Sequence, residues 1–417
     1  MAGAGGYVGR RLVAGLVGDG RPVVGLGRRA AQIPDAAEKR PTDVADTAAT
    51  ARALAGVDTA YYLVHSMAGG HGFTGRDRAL AESFAPASSG VEVVELRAAV
   101  VIGAGSISFE ILRYLTERLP VMICPRWITT RVQPIAEADL LRYLVAAPHV
   151  APGIYEIGGP QATTYRDMIA TYAAVRGLRA RAIVDVPVLT PWLSAWWVDL
   201  VTPVDRRVSH SLIESLTTDV VVNDPAPAAT AFDIDPLDVA GAIRAALDEQ
   251  AGRVSASLLR FDPGLRDGVY AMRSEAPLPA ADVAGVQSDL RRCGGDLRWY
   301  GLAWAWRLRM LLGRAFGERL RLGRPPALEP GAAVDWWQVA HVSDDALVLR
   351  TSSWFCGEAW LGFRMHEAPR PRLVQVVALR PRGVVGLVYW WALWPAHVVV
   401  LRIASRHRAR RARRGRG

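Results

Sequence analysis

Gly3-Ala4-Gly5-Gly6-Tyr7-Val8-Gly9 is the stretch on which the reading of this 417-residue chain turns. Gly3, Gly6 and Gly9 recur at every third position. Arg10-Arg11-Leu12-Val13-Ala14-Gly15-Leu16-Val17 follows at once and reads as helix. Glycines at that spacing let the backbone turn tightly and come close to a pyrophosphate. The last of them lets the helix pack on its strand, and the helix N-terminus attracts phosphate. The pattern carries that meaning only between a strand and a helix. Here the helix follows, but only Met1 and Ala2 precede Gly3. The first strand is therefore expected to be missing, through a start placed too late or a truncated copy.

Outward from the turn, Pro22-Val23-Val24-Gly25-Leu26-Gly27 reads as the next strand, and Arg28 and Arg29 follow it. In a nucleotide-binding βαβ unit the end of that strand meets the adenosine ribose. An acid there binds the 2′-hydroxyl, whereas arginine accommodates a 2′-phosphate. That favours NADP over NAD, against the plainer reading of two solvated loop arginines. Asp43 ends a short polar link before a helical stretch, Thr47 to Ala55. Asp58 to His65 is β-branched and aromatic, which indicates a strand. Its end, Leu63-Val64-His65, would lie at the carboxyl edge of the sheet, where ligands bind. A helix from Arg76 to Ala87 comes next. The candidate cofactor residues are thus Gly3, Gly6, Tyr7, Val8, Gly9, Arg28, Arg29, Asp43, Leu63, Val64 and His65.

The glycine turn, "VDTAYYLVHSM" (57–67), "ELRAAVVIGAGSISFEILRYLTERLPVM" (95–122), "RVQPIAEADLLRYLVAA" (131–147) and "YEIGGPQATTYRDMIATYAAVRGL" (155–178) resemble atypical, NmrA-like members of the extended short-chain dehydrogenase/reductase superfamily. They are distantly similar to the Rossmann-type accessory subunit of respiratory complex I. The resemblance covers roughly residues 1–250 and implies a Rossmann-like parallel sheet and a nicotinamide cofactor. It also implies that the Gly103-Ala104-Gly105-Ser106 loop lies near nicotinamide and substrate. Two departures stand out. A strand-helix unit of the family is missing between Ala87 and Val91. The Tyr-x-x-x-Lys pair, in which lysine lowers the tyrosine pKa for general acid work, is impossible, because Lys39 is the only lysine and position 35 is Asp. No catalytic residue is assigned. Glu137 and Asp139 read as first-turn helix acids suited to the dipole.

Val186 to Ser215 carries Trp192, Trp196 and Trp197 with Pro191 and Pro203. It reads as inter-domain packing, with a lid or a membrane-surface segment as alternatives. His210 has no partner motif. Pro225 to Ala229 reads as a hinge or surface loop. Leu237 to Gln250 reads as the helix that closes the first domain.

The rest differs in character, since ten of the fourteen tryptophans lie between Trp299 and Trp394. Val269–Glu275, Ala333–Val339, Ala346–Thr351, Glu358–Met365 and Arg372–Arg380 are short alternating runs, which indicates an antiparallel sheet. Asp282–Arg292 reads as helix, and Trp299–Leu312 is aromatic and apolar. Gly383 to Leu401 holds no charged residue. Its length reaches that of a membrane span, yet a helix apolar all round is equally at home in a core. The order of elements resembles the polyketide-cyclase/START-like helix-grip fold. That resemblance implies a final helix gripped by the sheet and a pocket for a hydrophobic small molecule, lined by aromatics such as Trp336, Trp360 and Trp391.

Composition sets the outer bounds. The chain is 51% hydrophobic and 22% charged, as in globular proteins. Its net charge of +10 is concentrated in residues 405–417, where seven arginines stand with no acid. Three dispersed cysteines, 124, 293 and 356, show no metal spacing, so no metal is expected and a reducing cytoplasm is the default.

Together these readings predict an α/β, Rossmann-like parallel sheet lacking its first strand and one internal strand-helix unit, followed by an α+β helix-grip domain. The expected domains are 1–250 (substrate-side segment 150–225), a linker 251–268, the helix-grip domain 269–404 and a basic tail 405–417. The expected function is NAD(P)H-binding and oxidoreductase-like, acting on or sensing a small hydrophobic carbonyl or quinone-like compound. The alternatives are a non-catalytic dinucleotide-binding sensor with a lipid-like ligand, and a membrane-associated protein held by 383–401 and the arginine tail. No nucleic acid is expected as a partner, and the tail reads first as a solvated, disordered extension.

Overall fold

The computed structural model describes the chain except for residues 65–78, 83, 85–91, 125, 186–217, 261–267, 296–302, 316, 319–321, 367–370 and 415–417. The tryptophan-rich stretch 186–215 and His65 thus lie outside the described residues. The chain divides into two compact units, Met1–Thr116 with Pro120–Leu247, and Glu117–Leu119 with Asp248–Gly417.

In the first unit, α1 (Tyr7–Gly18) leads to β1 (Val24–Gly27) and β2 (Glu38–Pro41), which pair in parallel. Residues 1 and 2 occupy the place of the preceding strand. Ala2 forms parallel bridges to both Leu26 and Tyr62. The Met1 carbonyl accepts from Leu26 N at 2.8 Å, Ala2 N donates to Tyr61 O at 2.8 Å, and the Ala2 carbonyl accepts from Leu63 N at 3.0 Å. A strand stub therefore does deliver the chain into the glycine turn, where the sequence pattern showed none. The long strand expected over Asp58–His65 is in turn only the bridge at Tyr62 among the described residues.

Helix α2 (Thr47–Leu54) starts where Asp46 accepts from Ala49 N at 2.9 Å, a side-chain cap that satisfies a free amide of the first turn. Two short strands follow, β3 (Val94–Ala98) and β4 (Val101–Ile102). Then follow α3 (Ile107–Arg118), β5 (Val121–Cys124), β6 (Arg131–Val132), β7 (Ile135–Ala136) and α4 (Glu137–Ala146). After these come β8 (Gly153–Ile157), β9 (Thr163–Thr164), α5 (Tyr165–Val175) and β10 (Ala182–Asp185). The pairs β3–β8, β4–β7 and β5–β10 are parallel, and the short β6–β9 pair is antiparallel. Parallel strands joined through helices make this unit Rossmann-like. Its core gathers Leu12, Val13 and Leu16 of α1 with Leu140, Tyr143 and Leu144 of α4 and Phe232. That face of α1 follows the i, i+4 spacing of an amphipathic helix. Most of the stretch Pro225–Ala229, expected as a hinge or surface loop, lies in α6 (Ala226–Ala231). Pro227 sits in its first turn, where proline costs no hydrogen bond.

Helix α7 (Val239–Arg260) runs ten residues into the expected linker. The reason is burial. Ala251, Val254 and Leu258 continue the helical spacing and pack with Val348, Trp360, Val374, Val376 and Ala378.

The second unit continues with β11 (Tyr270–Pro277), α8 (Val283–Arg291), α9 (Ala303–Ala315), β12 (Ala333–Val334), β13 (Trp337–Val342), β14 (Ala346–Ser353), β15 (Gly357–His366), β16 (Arg372–Pro381) and α10 (Gly383–Arg414). The strands form one antiparallel sheet in the order β11-β16-β15-β14-β13-β12. Alternation assigns its two faces. Val348, Trp360, Val374, Val376 and Ala378 meet α7. Leu347, Leu349, Leu361, Phe363 and Leu373 meet the core that α8 and α9 complete. Being covered on both faces, the central strands are apolar nearly throughout and lose strict alternation.

The run at 383–401 is a helix that continues through the expected tail to Arg414. No helix among the described residues is long and apolar enough to cross a membrane.

Candidate functional site

The glycine turn is shaped by what its neighbours exclude. Gly3 has φ +83°, a left-handed conformation that L side chains resist. A Cβ there would also lie 2.7 Å from Leu63 O. A Cβ on Gly5 would lie 2.4 Å from Gln32 O, and one on Gly9 would lie 2.1 Å from Gly3 O. The turn is closed by Gly6 N donating to Gly3 O at 2.9 Å. Gly6 is the N-cap of α1, with no side-chain capping bond and no acid in the first turn. A helix start lacking both is suited to an anion, because its amides and its dipole point outward together.

The parallel bridges of Ala2 to Leu26 and Tyr62 bring the turn, the end of β1 and Leu63-Val64 to one sheet edge. Arg28 and Arg29 stand exposed just past β1 and make no ion pair among the described residues. Gly3, Gly6, Val8, Gly9, Arg28, Arg29, Leu63 and Val64 therefore share one neighbourhood. Asp43 is used differently. Its carboxylate accepts from Ala45 N at 3.2 Å and shapes the turn before α2.

Tyr7 is also turned to another task. Its hydroxyl donates to the buried carboxylate of Glu137, which also pairs with Arg11. The Arg11 guanidinium lies 4.1 Å from the Tyr7 ring centroid and donates to Ala104 O at 2.6 Å. A Cβ on Gly103 would sit 2.4 Å from the Tyr7 hydroxyl oxygen, so the 103–106 loop must carry glycine there. This cluster ties the glycine turn to the 103–106 loop. Spacing alone offered no signal for it, since its members lie in three distant segments. Ser106 closes the loop by accepting from Phe109 N at 3.2 Å and donating to Val101 O at 2.8 Å. Asp139 is structural, accepting from Leu237 N at 2.8 Å and from Arg142 at 3.2 Å.

Lys39 donates to Asp35 at 2.5 Å and pairs with no tyrosine among the described residues. No group of metal-ligating side chains occurs among the described residues.

The second unit holds a cavity of about 190 Å³ between the sheet and helices α9 and α10. Trp304, Trp306, Trp336, Trp337, Tyr389 and Trp390 are the aromatic residues of its wall. Trp336 lines it as expected, but Trp360 and Trp391 do not. Trp360 is fully buried on the opposite face of the sheet, since its neighbour Ala359 takes the cavity side. Trp391, one step round the helix from Trp390, is 55% exposed.

One end of the cavity is polar. Arg309 pairs with Glu318 at 3.2 Å, Ser353 donates to the same carboxylate, and Cys356 N donates to Ser353 Oγ at 3.3 Å. Burial pushes the Tyr389 phenol up to about 12 and raises the Cys356 thiol, so both stay protonated at neutral pH. Burial lowers the His397 imidazole, which stays neutral. One cation and one anion pair there, so this end of the cavity carries no net charge.

The sequence model of a family described as "Protein of unknown function (DUF2867)" matches residues 265–404. No curated protein matches the chain. Among solved structures, the chain is similar to the UDP-glucuronic acid 4-epimerase from Bacillus cereus, seen with UDP-glucuronic acid and NAD. Identity is 14% over 59% of this chain and 96% of that one, with a TM-score of 0.42. The WbmH enzyme of Bordetella bronchiseptica, seen with NAD+, gives 13% identity, coverage of 59% and 96%, and a TM-score of 0.40. The NAD-dependent NDP-hexosamine 5,6-dehydratase TunA gives 13%, 60% and 97%, and 0.39.

Proposed function

We propose that the first unit binds a nicotinamide dinucleotide at the glycine turn, with NADP preferred over NAD, as an atypical NmrA-like member of the short-chain dehydrogenase/reductase superfamily. The reading is oxidoreductase-like, with a small hydrophobic carbonyl or quinone-like compound as the molecule acted on or sensed. One observation carries it: Gly3 and Gly9 tolerate no Cβ, and between them Gly6 opens a helix whose start has no capping side chain and no acid. The pyrophosphate would lie on the first turn of α1. Arg28 and Arg29 would meet the 2′-phosphate at the end of β1. The second unit is read as START-like, its aromatic cavity holding the apolar ligand.

A second reading, a dinucleotide-binding sensor without turnover, is favoured by one fact. The sole lysine, Lys39, stands four residues after Asp35 instead of a tyrosine, so the Tyr-x-x-x-Lys pair for proton transfer cannot form.

Titration of the full chain with NADPH, followed by nicotinamide fluorescence, tests the common part of both. Saturable binding is expected, and it is expected to vanish in Gly6→Val. Arg28→Ala should weaken NADP more than NAD. Unchanged affinity in Gly6→Val would remove the site assignment, and equal weakening of both dinucleotides would remove the NADP preference. A panel of carbonyl and quinone compounds then separates the readings. An enzyme consumes the nicotinamide absorbance band, and a sensor leaves it unchanged.

A further inference from the structure

We propose that the second unit docks on an anionic lipid bilayer through the outer face of its final helix, α10, beside the mouth of the aromatic cavity. This is independent of the dinucleotide site.

The first observation is that α10 is apolar on two sides. At about 100° per residue, Tyr389, Trp390, Leu393 and His397 share one side, and all four line the cavity beneath the helix. Val384, Val388, Trp391, Pro395 and Val399 fall within about 80° of one another on the other side. Val388 is 60% exposed, Trp391 and Val399 are 55% exposed, and Val384 is 42% exposed. With Val385 and Ile403, also exposed, this makes an apolar stripe about 29 Å long, from Val384 to Ile403. A core-facing helix of an ordinary soluble domain carries polar residues on such a face.

The second observation is charge. From Gly383 to the end of the described helix at Arg414 there is no acid, and arginines stand at 402, 406, 408, 410, 411, 413 and 414. An apolar helix face continued by an uninterrupted cationic segment matches the surface of a bilayer containing anionic lipid, with hydrocarbon beside headgroup phosphates. A second copy of the same helix would set like charges against each other. The span reading is not required, since the inner side of the helix is already spent on the sheet and the cavity.

The third observation is continuity. Helix α9 exposes Trp304, Leu308 and Leu311 at i, i+4 and i+7, flanked by the exposed Arg307 and Arg314, and it too carries no acid. Trp304 and Leu308 also line the cavity, as does the exposed Ala396 of α10. The cavity mouth thus opens between two exposed apolar helix faces. Docked on lipid, it would face the phase in which an apolar, uncharged ligand dissolves.

The test is flotation of the full chain with vesicles of phosphatidylcholine alone, or of phosphatidylcholine mixed with phosphatidylglycerol. Binding is expected to the mixed vesicles only, and to fall as salt rises. Val388→Asp with Trp391→Asp should lower the apparent vesicle affinity at least ~10-fold, because it places two charges in the buried face. Trp391 also meets the Tyr270 ring edge-on at 5.7 Å, so retention of the fold is checked by circular dichroism, and Val388→Asp alone repeats the test without touching that contact. Arg410→Glu with Arg411→Glu should weaken the preference for phosphatidylglycerol, since it lowers the charge of the segment by four. The proposal is overturned if the native chain ignores mixed vesicles at low salt, or if the Val388→Asp, Trp391→Asp variant binds them as tightly as native. It is also overturned if sedimentation finds a dimer that this variant dissociates, since a second copy then covers the stripe.

Discussion

Two glycine-to-alanine substitutions in one helix, Gly9→Ala and Gly15→Ala in α1, should move stability in opposite directions. Each replaces the poorest ordinary helix former with the best, a gain of about 1 kcal/mol. At Gly15 nothing lies within 4 Å of the added Cβ, so that gain stands alone. At Gly9 the Cβ would sit 2.1 Å from Gly3 O and 2.9 Å from the Ala4 Cα. Both neighbours are backbone and cannot swing aside. Forcing a methyl group into packed structure costs about 1–3 kcal/mol, and more where nothing yields. Gly3 O also accepts the bond from Gly6 N that closes the turn, worth about 1 kcal/mol net. The balance is a loss of about 1–3 kcal/mol for Gly9→Ala against a gain of about 1 kcal/mol for Gly15→Ala. Urea denaturation of the full chain, with the transition of the first unit resolved, reads both from midpoints at constant slope. NADPH binding should fall with Gly9→Ala and hold with Gly15→Ala, because only the first displaces the turn. If Gly9→Ala proves as stable as Gly15→Ala, α1 does not press against the turn, and the close packing behind the proposed pyrophosphate site is refuted.

The second unit supplies two further expectations. Glu358, 3% exposed, pairs with Arg380 and Arg350, and Arg380 also donates to Gln250 at 3.2 Å. Glu358→Gln strands the buried Arg380 charge and should cost about 3–5 kcal/mol, while adding Arg380→Met should recover part of that loss. A single-variant loss below about 1 kcal/mol by urea denaturation would mean that the network is solvated. His397 makes stability depend on pH. Burial depresses its folded pKa below 6.5, so in the window beneath 6.5 the unfolded chain binds a proton that the folded chain does not. Stability should therefore fall as pH drops through that window, and His397→Leu should flatten the profile. An unchanged slope in the variant would assign the pH dependence elsewhere.

What the sequence carries and what it conceals divide along physical lines. The glycine turn and α1 were legible because their constraint is local: the backbone needs no Cβ at fixed intervals, and three glycines announce it. The antiparallel sheet was legible because five short apolar runs between turn residues have one economical solution, although the run over 333–339 resolves into two strands. The stub at Met1-Ala2 was not legible, because two residues have no periodicity, and only the ladder to Leu26 and Tyr62 makes them strand. The first turns of the expected linker at 251–268 hid for the opposite reason. Their glycine and serines suggest a connection, yet Ala251, Val254 and Leu258 keep helical spacing and are held by the sheet face. The Tyr7–Arg11–Glu137 cluster shows the deeper limit. Each residue has an ordinary local explanation, and only the fold brings them to Gly103. The same limit misplaced the cavity wall. Three tryptophans were equally aromatic on paper, but strand alternation sends Trp360 to the far face and helical twist sends Trp391 outward, leaving Trp336 in the wall. That outward twist also exposes the stripe on α10, so the residue lost to the cavity is the one that the bilayer proposal requires.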